Sequence, residues 1–226
     1  AFHTGSKGTP IGVEICSKAD VVLAVGARFA DETTCSYRKG ASFNFPDTKL
    51  IHIDIDPAEI GKNYGADIGI IGDLKDALEK LNQNWGKSSV SKEYLNEIKT
   101  LRQKWFDYLD QVRNRKTKLI TISKLIGKLN KTLPKDTIIA TSSGNTQAQL
   151  FQEYCYEKPY CNLTTGGFSA MGWAVPAAMG AKLALPKRPV VALLGDGDFM
   201  MIMQELSTMA QYNIPVIVIM VNNAGW

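Results

Sequence analysis

Residues 189–223 decide the fold, and they read PVVALLGDGDFMMIMQELSTMAQYNIPVIVIMVNN. The segments 189–194 and 215–221 are almost entirely apolar, which predicts two parallel strands that are buried on both faces. Residues 200–212, which lie between them, are predicted to form a helix. A strand–helix–strand unit of this kind is typical of a doubly wound α/β sheet.

Polar residues follow each of these strands. Gly195-Asp196-Gly197 ends the first strand, and Asn222-Asn223 ends the second after 24 intervening residues. In open α/β sheets ligands bind at the carboxyl ends of the strands, where glycines and a helix amino terminus favour phosphate. One carboxylate, one amide oxygen and a loop carbonyl form an oxygen set that suits Mg²⁺ bound to phosphate. Either motif alone is ordinary turn sequence, and it is the spacing of the two that indicates a site.

The rest of the chain continues the alternation of strands and helices. Strands are predicted at 19–26, 49–56, 68–72 and 137–140, and helices at 73–81, 122–133 and 170–185. Asp73 is the expected cap of the helix at 73–81. We therefore predict an α/β protein with two doubly wound, parallel-sheet (Rossmann-like) units.

A polar linker at 82–91 is predicted between the two units. After it, apolar residues recur at helical spacing: Tyr94, Leu95, Ile98, Leu101, Trp105, Tyr108, Leu109 and Val112. This pattern predicts a long helix with one apolar stripe. We interpret the stripe as core packing rather than as a ligand site.

Composition and charge exclude several classes of protein. The net charge of +4 comes from one segment, since residues 87–118 contain nine basic and four acidic residues. A local excess of this kind is typical of a solvated helix face rather than of a nucleic-acid-binding surface. The four cysteines form no CxxC pair, which argues against zinc and a disulfide scaffold and favours a reducing compartment. No apolar run reaches the roughly 18 residues of a membrane span. We expect a cytoplasmic protein without nucleic-acid or membrane partners.

Both ends of the sequence look like cuts through a longer protein. Ala1 is not a Met, and Trp226 comes just after a strand that we predict to be buried. A domain seldom ends before the loop and helix that cover such a strand. We therefore expect a fragment in which both units are incomplete.

The motifs resemble those of the thiamine-diphosphate-dependent decarboxylase and carboligase superfamily, whose signature is GDG and NN at this spacing. Residues 26–34 (GARFADETT), 49–63 (KLIHIDIDPAEIGKN) and 69–73 (GIIGD) resemble the acetolactate (acetohydroxyacid) synthase large subunit. The resemblance implies that 1–85 is the back half of the central domain and 86–117 a linker with the long helix. It implies that 118–226 is the diphosphate-binding domain, truncated at its carboxyl end.

The resemblance also implies how the diphosphate end of the cofactor is bound. Asp196, the side chain of Asn223 and the main-chain carbonyl of Gly225 would ligate Mg²⁺. Gly195 opens the turn, and Gly197 and Asp198 would offer backbone amides to the diphosphate. Residues 144–147 (GNTQ) match a further loop on the diphosphate side, which makes Asn145 and Gln147 cofactor-binding candidates.

Residues 166–172 (GGFSAMG) match the loop under the aminopyrimidine ring of the cofactor. The resemblance implies that Met171 is the bulky wedge that keeps the cofactor bent. The carbonyl of Ser169 would accept from the 4′-amino group, and the amide of Met171 would donate to the ring. Ala170 belongs to the same loop. Without the flanking motif, Met171 is equally well interpreted as core filling.

The chemistry implied by the resemblance is that of the cofactor. Its thiazolium carbon adds to a pyruvate-like 2-keto acid and takes up electrons as CO₂ leaves. In the family, a Glu on the pyrimidine domain of a partner subunit completes the site in a homodimer or homotetramer. That domain lies outside this sequence, so we assign no catalytic residue and expect the chain alone to be inactive. An acetolactate synthase implies a role in branched-chain amino acid biosynthesis.

Two departures keep other functions open. Asp198 stands where the synthase pattern has Ser, and 224–226 (AGW) stand where it has acidic residues and Gln. A simple 2-keto-acid decarboxylase or a C–C hydrolase of the same superfamily is therefore an alternative. An alternative of another class is a non-catalytic nucleotide-binding α/β module.

FAD is a further cofactor that the resemblance brings into question, because some synthases hold it on the central domain. Asp54 and Asp56 at a strand end, together with Arg28, would face its adenine nucleotide. The alternative interpretation is that these residues are polar positions in strand-end loops.

Overall fold

The computed structural model describes residues 2–86 and 90–223. The chain divides into two compact units, Ala1–Tyr108 and Leu109–Trp226. Within the described ranges each unit has one sheet whose strands are all parallel, with three strands in the first and four in the second. The predicted fold class, α/β with two parallel sheets, is confirmed.

The first unit is built on the strand order β1-β2-β3. Its elements are α1 (Pro10–Lys18), β1 (Val21–Val25), α2 (Asp31–Thr34), β2 (Lys49–Asp54), β3 (Ile68–Ile71) and α3 (Leu74–Asn84), and α4 (Lys92–Asn114) begins in it. The Asp73 carboxylate caps α3 by accepting from the backbone amides of Lys75 and Asp76 at 2.8 and 3.3 Å, as predicted. The helix continues to Asn84, so the start of the predicted linker is helical.

The interior of the first unit is rich in aromatic rings, which the sequence analysis did not anticipate. Phe29 packs edge-on against Phe43 and Tyr64, with ring centroids 5.5 Å apart in both pairs. The cluster packs beside Leu50 of β2, which is fully buried. On α4, Leu101 and Trp105 are buried while Tyr94, Leu95 and Tyr108 are exposed, so the predicted apolar stripe is buried only in part.

The second unit has the strand order β5-β4-β6-β7. After the end of α4 come α5 (Ile122–Thr132), β4 (Ile138–Thr141), α6 (Asn145–Glu153), β5 (Asn162–Thr164), a 3₁₀ turn (Gly166–Phe168), α7 (Ala174–Ala184), β6 (Val190–Gly195), α8 (Asp196–Met200), α9 (Glu205–Gln211) and β7 (Ile217–Val221). The predicted strands at 137–140, 189–194 and 215–221 are present, each within two residues of its expected ends.

Side chains alternate across this sheet and fill two cores. Ile138, Val190 and Ala192 pack with Val175 and Ala178 of α7 on one face. On the other face, Ile139, Val191 and Leu193 pack with Ile126 and Leu129 of α5 and with Leu150 of α6. Helices therefore cover both faces, which explains why these strands are nearly continuous apolar runs in the sequence.

Two helices of the second unit begin at other residues than predicted. The helix expected from 170 begins at Ala174, because Ser169 and Gly172 have φ of 48° and 77°, which a right-handed helix does not accommodate. Of the helix expected at 200–212, only the stretch Glu205–Gln211 forms a helix (α9), and the preceding helix α8 begins earlier and ends at Met200. Asp196 consequently lies in the first turn of α8 and not in a loop ahead of a helix.

A buried ion pair joins three helices of this unit. Arg113 near the end of α4 places Nη2 3.2 Å from Oε2 of Glu153 at the end of α6. The Ser123 hydroxyl of α5 donates to the other carboxylate oxygen of Glu153 at 2.6 Å. Gly127 of α5 leaves room for the arginine, since a Cβ at this position would lie 2.8 Å from Arg113 Cδ. This network holds α5 and α6, both of which reach the carboxyl edge of the sheet.

Within 2–86 and 90–223, no helix is both long enough and apolar enough to cross a membrane.

Candidate functional site

A cavity of about 320 Å³ opens in the second unit where β4, β6 and β7 end. Strand ends of a parallel sheet meet at one edge, so residues from distant parts of the chain converge there. The cavity is lined by Ile122, Ser143, Gly144, Asn145, Thr146, Met171, Gly195, Asp196, Gly197, Asp198, Val221 and Asn223. The volume is within the usual range for small-molecule sites, about 300–1,000 Å³.

Most of the residues predicted from the sequence lie around this cavity. They are Gly195, Asp196, Gly197 and Asp198 from the GDG segment, Asn223 from the NN pair, Met171, and Asn145. Asp196 and Asp198 belong to α8, Asn145 is the first residue of α6, and Asn223 follows β7. Four separate segments of the chain thus supply the wall.

Three predicted cofactor-binding residues do not line the cavity. Ser169 and Ala170 lie close to Met171 in the sequence, but neither residue is part of the cavity wall. Gln147 is buried, and its amide donates to the Ser142 carbonyl and, at 2.7 Å, to the Thr164 hydroxyl. Gly225, the predicted main-chain ligand, lies outside the described residues.

Ser142 fixes the loop that carries Met171. Its hydroxyl accepts from the backbone amide of Ala174 at 2.8 Å, at the start of α7. Its carbonyl accepts from the Thr165 hydroxyl at 3.2 Å, ahead of the 3₁₀ turn. Both ends of the loop are therefore held by one fully buried residue at the end of β4.

Asp198 also contacts the loop that carries Met171, in addition to Ser142. Only 4% of the residue is exposed, and its Oδ1 accepts from the backbone amide of Gly172 at 2.5 Å. Its Oδ2 is buried without a hydrogen-bond partner among the described residues. The sequence analysis assigned only the backbone of Asp198 a role, because nothing in the local sequence shows where its side chain points.

The charge of the cavity wall is negative. Asp196 and Asp198 contribute two carboxylates, and none of the described residues that line the cavity is Lys or Arg. A Cβ added at Gly144 or at Gly195 would meet no atom within 4 Å, so open space adjoins the backbone at both positions. The site thus combines hard oxygen donors with backbone that is open to a ligand. Because the carboxylates are negative, such a site suits an anion only when a cation binds with the anion.

Sequence reasoning missed several lining residues. Ser143 is the second residue after β4, so the rule that ligands bind at strand ends would have identified it. Ile122 begins α5, and Val221 is the last residue of β7. Their side chains are apolar, and no local signal distinguishes them from core residues.

No group of three or more His, Cys, Asp or Glu side chains in the described ranges could hold a metal ion. The predicted ligand set contains a single carboxylate beside an amide and a carbonyl, and such a set does not depend on a cluster of that type.

The first unit has a cavity of its own, also of about 320 Å³. Arg28 lines it, whereas Asp54 and Asp56 do not. One carboxylate oxygen of Asp54 accepts from the Asp56 amide, and one of Asp56 accepts from the Ala58 amide, both at 2.9 Å. These bonds stabilise the turn after β2, in agreement with the interpretation of both aspartates as strand-end loop residues.

Comparison with known families agrees with this arrangement. A family model described as "Thiamine pyrophosphate enzyme, central domain" matches residues 1–81. A second, described as "Thiamine pyrophosphate enzyme, C-terminal TPP binding domain", matches residues 142–226, which include every part of the cavity wall except Ile122.

Curated relatives are similar over nearly the whole chain. The chain is 36% identical over 234 residues to a probable acetolactate synthase large subunit of Methanococcus aeolicus, covering 97% of this chain and 38% of the relative. It is 36% identical over 224 residues to the protein of the same name from Methanocaldococcus jannaschii, covering 97% and 37%. It is 37% identical over 231 residues to the acetolactate synthase of Mycobacterium leprae, covering 98% and 35%.

The chain therefore spans little more than a third of the length of these relatives. Two successive family matches, relatives that are similar over nearly the whole chain, and two parallel α/β units all point to the same family. This chain belongs to the thiamine pyrophosphate enzymes, with a central-domain segment followed by a TPP-binding segment.

Proposed function

We propose that the chain is part of a thiamine-diphosphate-dependent 2-keto-acid carboligase of acetolactate-synthase type, in which the cavity of the second unit binds the cofactor through Mg²⁺. One observation carries the proposal. Asp196, Asn223, Asn145 and Met171, from four separate segments, line a single cavity at the carboxyl edge of a parallel sheet.

The charge of the wall favours a metal-dependent mode of binding. A diphosphate alone would be repelled by the carboxylates of Asp196 and Asp198, because none of the described residues in the wall offers a basic side chain in compensation. Mg²⁺ would bind Asp196, the Asn223 side chain and the carbonyl of Gly225, and would keep positions for phosphate oxygens. Gly197 and the first turn of α6, beginning at Asn145, would direct backbone amides at the remaining phosphate oxygens.

Met171 would act on the other end of the cofactor. Its side chain is 41% exposed at the cavity wall, and Ser142 fixes its loop at both ends. An apolar side chain on a loop that is held in this way would support a bent ligand. When bound, thiamine diphosphate supplies the electron sink for decarboxylation of a 2-keto acid. The chain's own residues would bind and orient the cofactor and would hold the Met171 loop in place.

We also propose that a second subunit completes the site, in a homodimer or homotetramer. The relatives are more than twice as long as this chain, so the chain contains only part of the protein to which they correspond. The pyrimidine-binding Glu would come from a further domain of the partner subunit. A pyruvate-like substrate, a role in branched-chain amino acid biosynthesis and a cytoplasmic location belong to the same proposal, whereas FAD stays an open prediction.

Two alternative functions make different predictions. A simple decarboxylase or C–C hydrolase of the same superfamily would use the same cofactor site and release an aldehyde or an acid. A non-catalytic nucleotide module would bind a nucleotide without thiamine diphosphate. A nucleotide module that binds without Mg²⁺ is disfavoured, because its ligand's phosphates would meet the carboxylates of Asp196 and Asp198 and none of the described lining residues is Lys or Arg.

Titration calorimetry tests the proposal. Thiamine diphosphate should bind in the presence of Mg²⁺ and should not bind in excess EDTA, and ADP under the same conditions should bind far more weakly. Equal binding of ADP, or binding of thiamine diphosphate without a divalent cation, would contradict it. Product analysis with pyruvate on the full-length protein then separates a carboligase, which forms acetolactate, from a decarboxylase, which forms acetaldehyde.

A further inference from the structure

Asp198 occupies an unusual position for a carboxylate. It is 4% exposed, it lines a cavity that already contains the Asp196 carboxylate, and no Lys or Arg among the described residues adjoins it there. Burying a carboxylate in this way is costly unless hydrogen bonds compensate. Its one hydrogen bond in the described structure comes from the backbone amide of Gly172, at 2.5 Å to Oδ1.

The loop that receives this contact needs external support. Gly166, Ser169 and Gly172 all have positive φ, of 64°, 48° and 77°. Positive φ is unfavourable for a non-glycine residue such as Ser169. The loop also exposes its apolar residues, since Phe168 is fully exposed. A segment of this kind keeps one conformation only if contacts from elsewhere hold it.

We propose that Asp198 is a positioning residue that clamps the Met171 loop to the GDG segment through the amide of Gly172. Ser142 holds the loop at Thr165 and at Ala174, which leaves the stretch around Met171 between two anchors. Asp198 adds a third anchor at the residue that follows Met171. The same segment that carries the proposed metal ligand Asp196 thereby sets the position of the proposed wedge.

The reach of the side chain explains why an aspartate serves here. A serine at this position is shorter by one bond and places its oxygen farther from Gly172, so it cannot accept the same hydrogen bond without movement of the loop. A charged acceptor also forms a stronger bond than a hydroxyl. The clamp is therefore a property of this chain's own sequence, and its consequence for cofactor affinity rests on the proposed function.

Hydrogen exchange at the Gly172 amide measures the clamp without any ligand. In Asp198→Leu, which keeps similar volume but cannot accept, this amide should exchange about 10- to 100-fold faster than in the wild type. Asp198→Asn retains an acceptor oxygen and should restore most of the protection. Amides of the buried strand β6, such as Val191 and Leu193, report the stability of the whole unit and should change little.

Cleavage by chymotrypsin after Phe168 gives a second measurement. The loop should be cut faster in Asp198→Leu than in the wild type, and Asp198→Asn should resemble the wild type. If Asp198→Leu does not fold, Asp198→Ser serves in its place with the same expected direction. Unchanged Gly172 protection in the Leu or Ser variant, or loss of protection in the Asn variant equal to that in Leu, would overturn the clamp.

Calorimetry with Mg²⁺ and thiamine diphosphate separates this inference from the proposed function. The affinity should be at least about tenfold lower in Asp198→Leu than in Asp198→Asn, because both variants remove the charge and only asparagine keeps an acceptor for the Gly172 amide. If the wild type does not bind the cofactor but Gly172 exchange follows the expected pattern, the clamp stands and the proposed function fails. If the wild type binds and the Leu variant binds equally well, the link between clamp and cofactor is wrong.

Discussion

Gly195 and Val221 are paired in register as the last residues of the neighbouring parallel strands β6 and β7. The chain therefore leaves both strands at the same level of the sheet. Asp196 follows the first strand at once, and Asn222-Asn223 follow the second. This register explains how a GDG and an NN that are distant in sequence come to line one cavity.

We expect Asp196→Ala to abolish most Mg²⁺-dependent binding of thiamine diphosphate. The substitution removes the only proposed carboxylate ligand, and a metal site loses on the order of 100-fold in affinity even when a supporting residue is lost. Calorimetry with both ligands measures the effect. Asp110→Ala, an exposed aspartate on α4, is the control and should bind like the wild type. Equal affinity in Asp196→Ala and the control would exclude Asp196 as a ligand.

Two glycines within helices should respond oppositely to the same substitution. At Gly127 a Cβ would lie 2.8 Å from Arg113 Cδ, so alanine would displace an arginine that pairs with buried Glu153. We expect Gly127→Ala to lower the free energy of unfolding by about 2 kcal/mol or more, because an unpaired buried charge is costly. At Gly180 on α7 an added Cβ would meet no atom within 4 Å. Gly180→Ala should therefore raise the free energy of unfolding by about 0.5–1 kcal/mol.

Urea unfolding of the two variants and the wild type measures this contrast. An increase in the free energy of unfolding in both Gly127→Ala and Gly180→Ala would show that helix propensity decides both, and that Arg113 tolerates the added methyl group.

Asp67 should make stability depend on acid pH. The Leu50 amide at 2.8 Å, and then the Lys49 ammonium at 3.0 Å, lower the pKa of the Asp67 carboxyl. The stabilisation is present above the unfolded pKa of about 3.9 and is lost as the pH falls through the lower folded pKa. Asp67→Asn should therefore be less stable than the wild type at pH 6, and the difference should shrink towards about pH 3.

The cause of this shift can be checked separately by NMR titration of the carboxyl group. In Lys49→Met the pKa of Asp67 should rise only part of the way to its ordinary value, because the Leu50 amide still donates. A complete return would show that the ammonium group alone is responsible.

The 226-residue chain, supplied with Mg²⁺ and thiamine diphosphate, should not accelerate hydrogen isotope exchange at the thiazolium carbon. The carboxylates at the cavity, Asp196 and Asp198, are assigned to the metal and to the Gly172 amide, and the glutamates that could act as the missing group are engaged elsewhere or lie away from the cavity. Glu153 is paired with Arg113, Glu157 lies 2.5 Å from Lys135, and Glu205 does not line the cavity. Loss of one acid–base group typically costs about 10²–10⁴ in rate.

Exchange by NMR, compared with the free cofactor, measures this directly. Clear acceleration would place a base among these residues and would contradict the proposed division of work between domains.

The sequence by itself determined the α/β class, the parallel strands and the segments that reach the ligand edge. Strands such as β6 and β7 are recognisable because a strand covered by helices on both faces must be apolar along its length, and this leaves a local pattern. GDG and NN were recognisable because polar residues directly after such strands must lie at one edge of the sheet. Asp73 was predicted as a cap because capping depends on neighbouring residues alone.

Only the tertiary structure decided which side chains meet at that edge. It brings Ile122 and Ser143 into the cavity wall and leaves Ser169, Ala170 and Gln147 out of it. These outcomes depend on backbone angles in the 166–172 loop and on contacts between residues far apart in the chain. The bond from the Gly172 amide to Asp198, which joins positions 26 residues apart, is such a contact, and no local pattern encodes it.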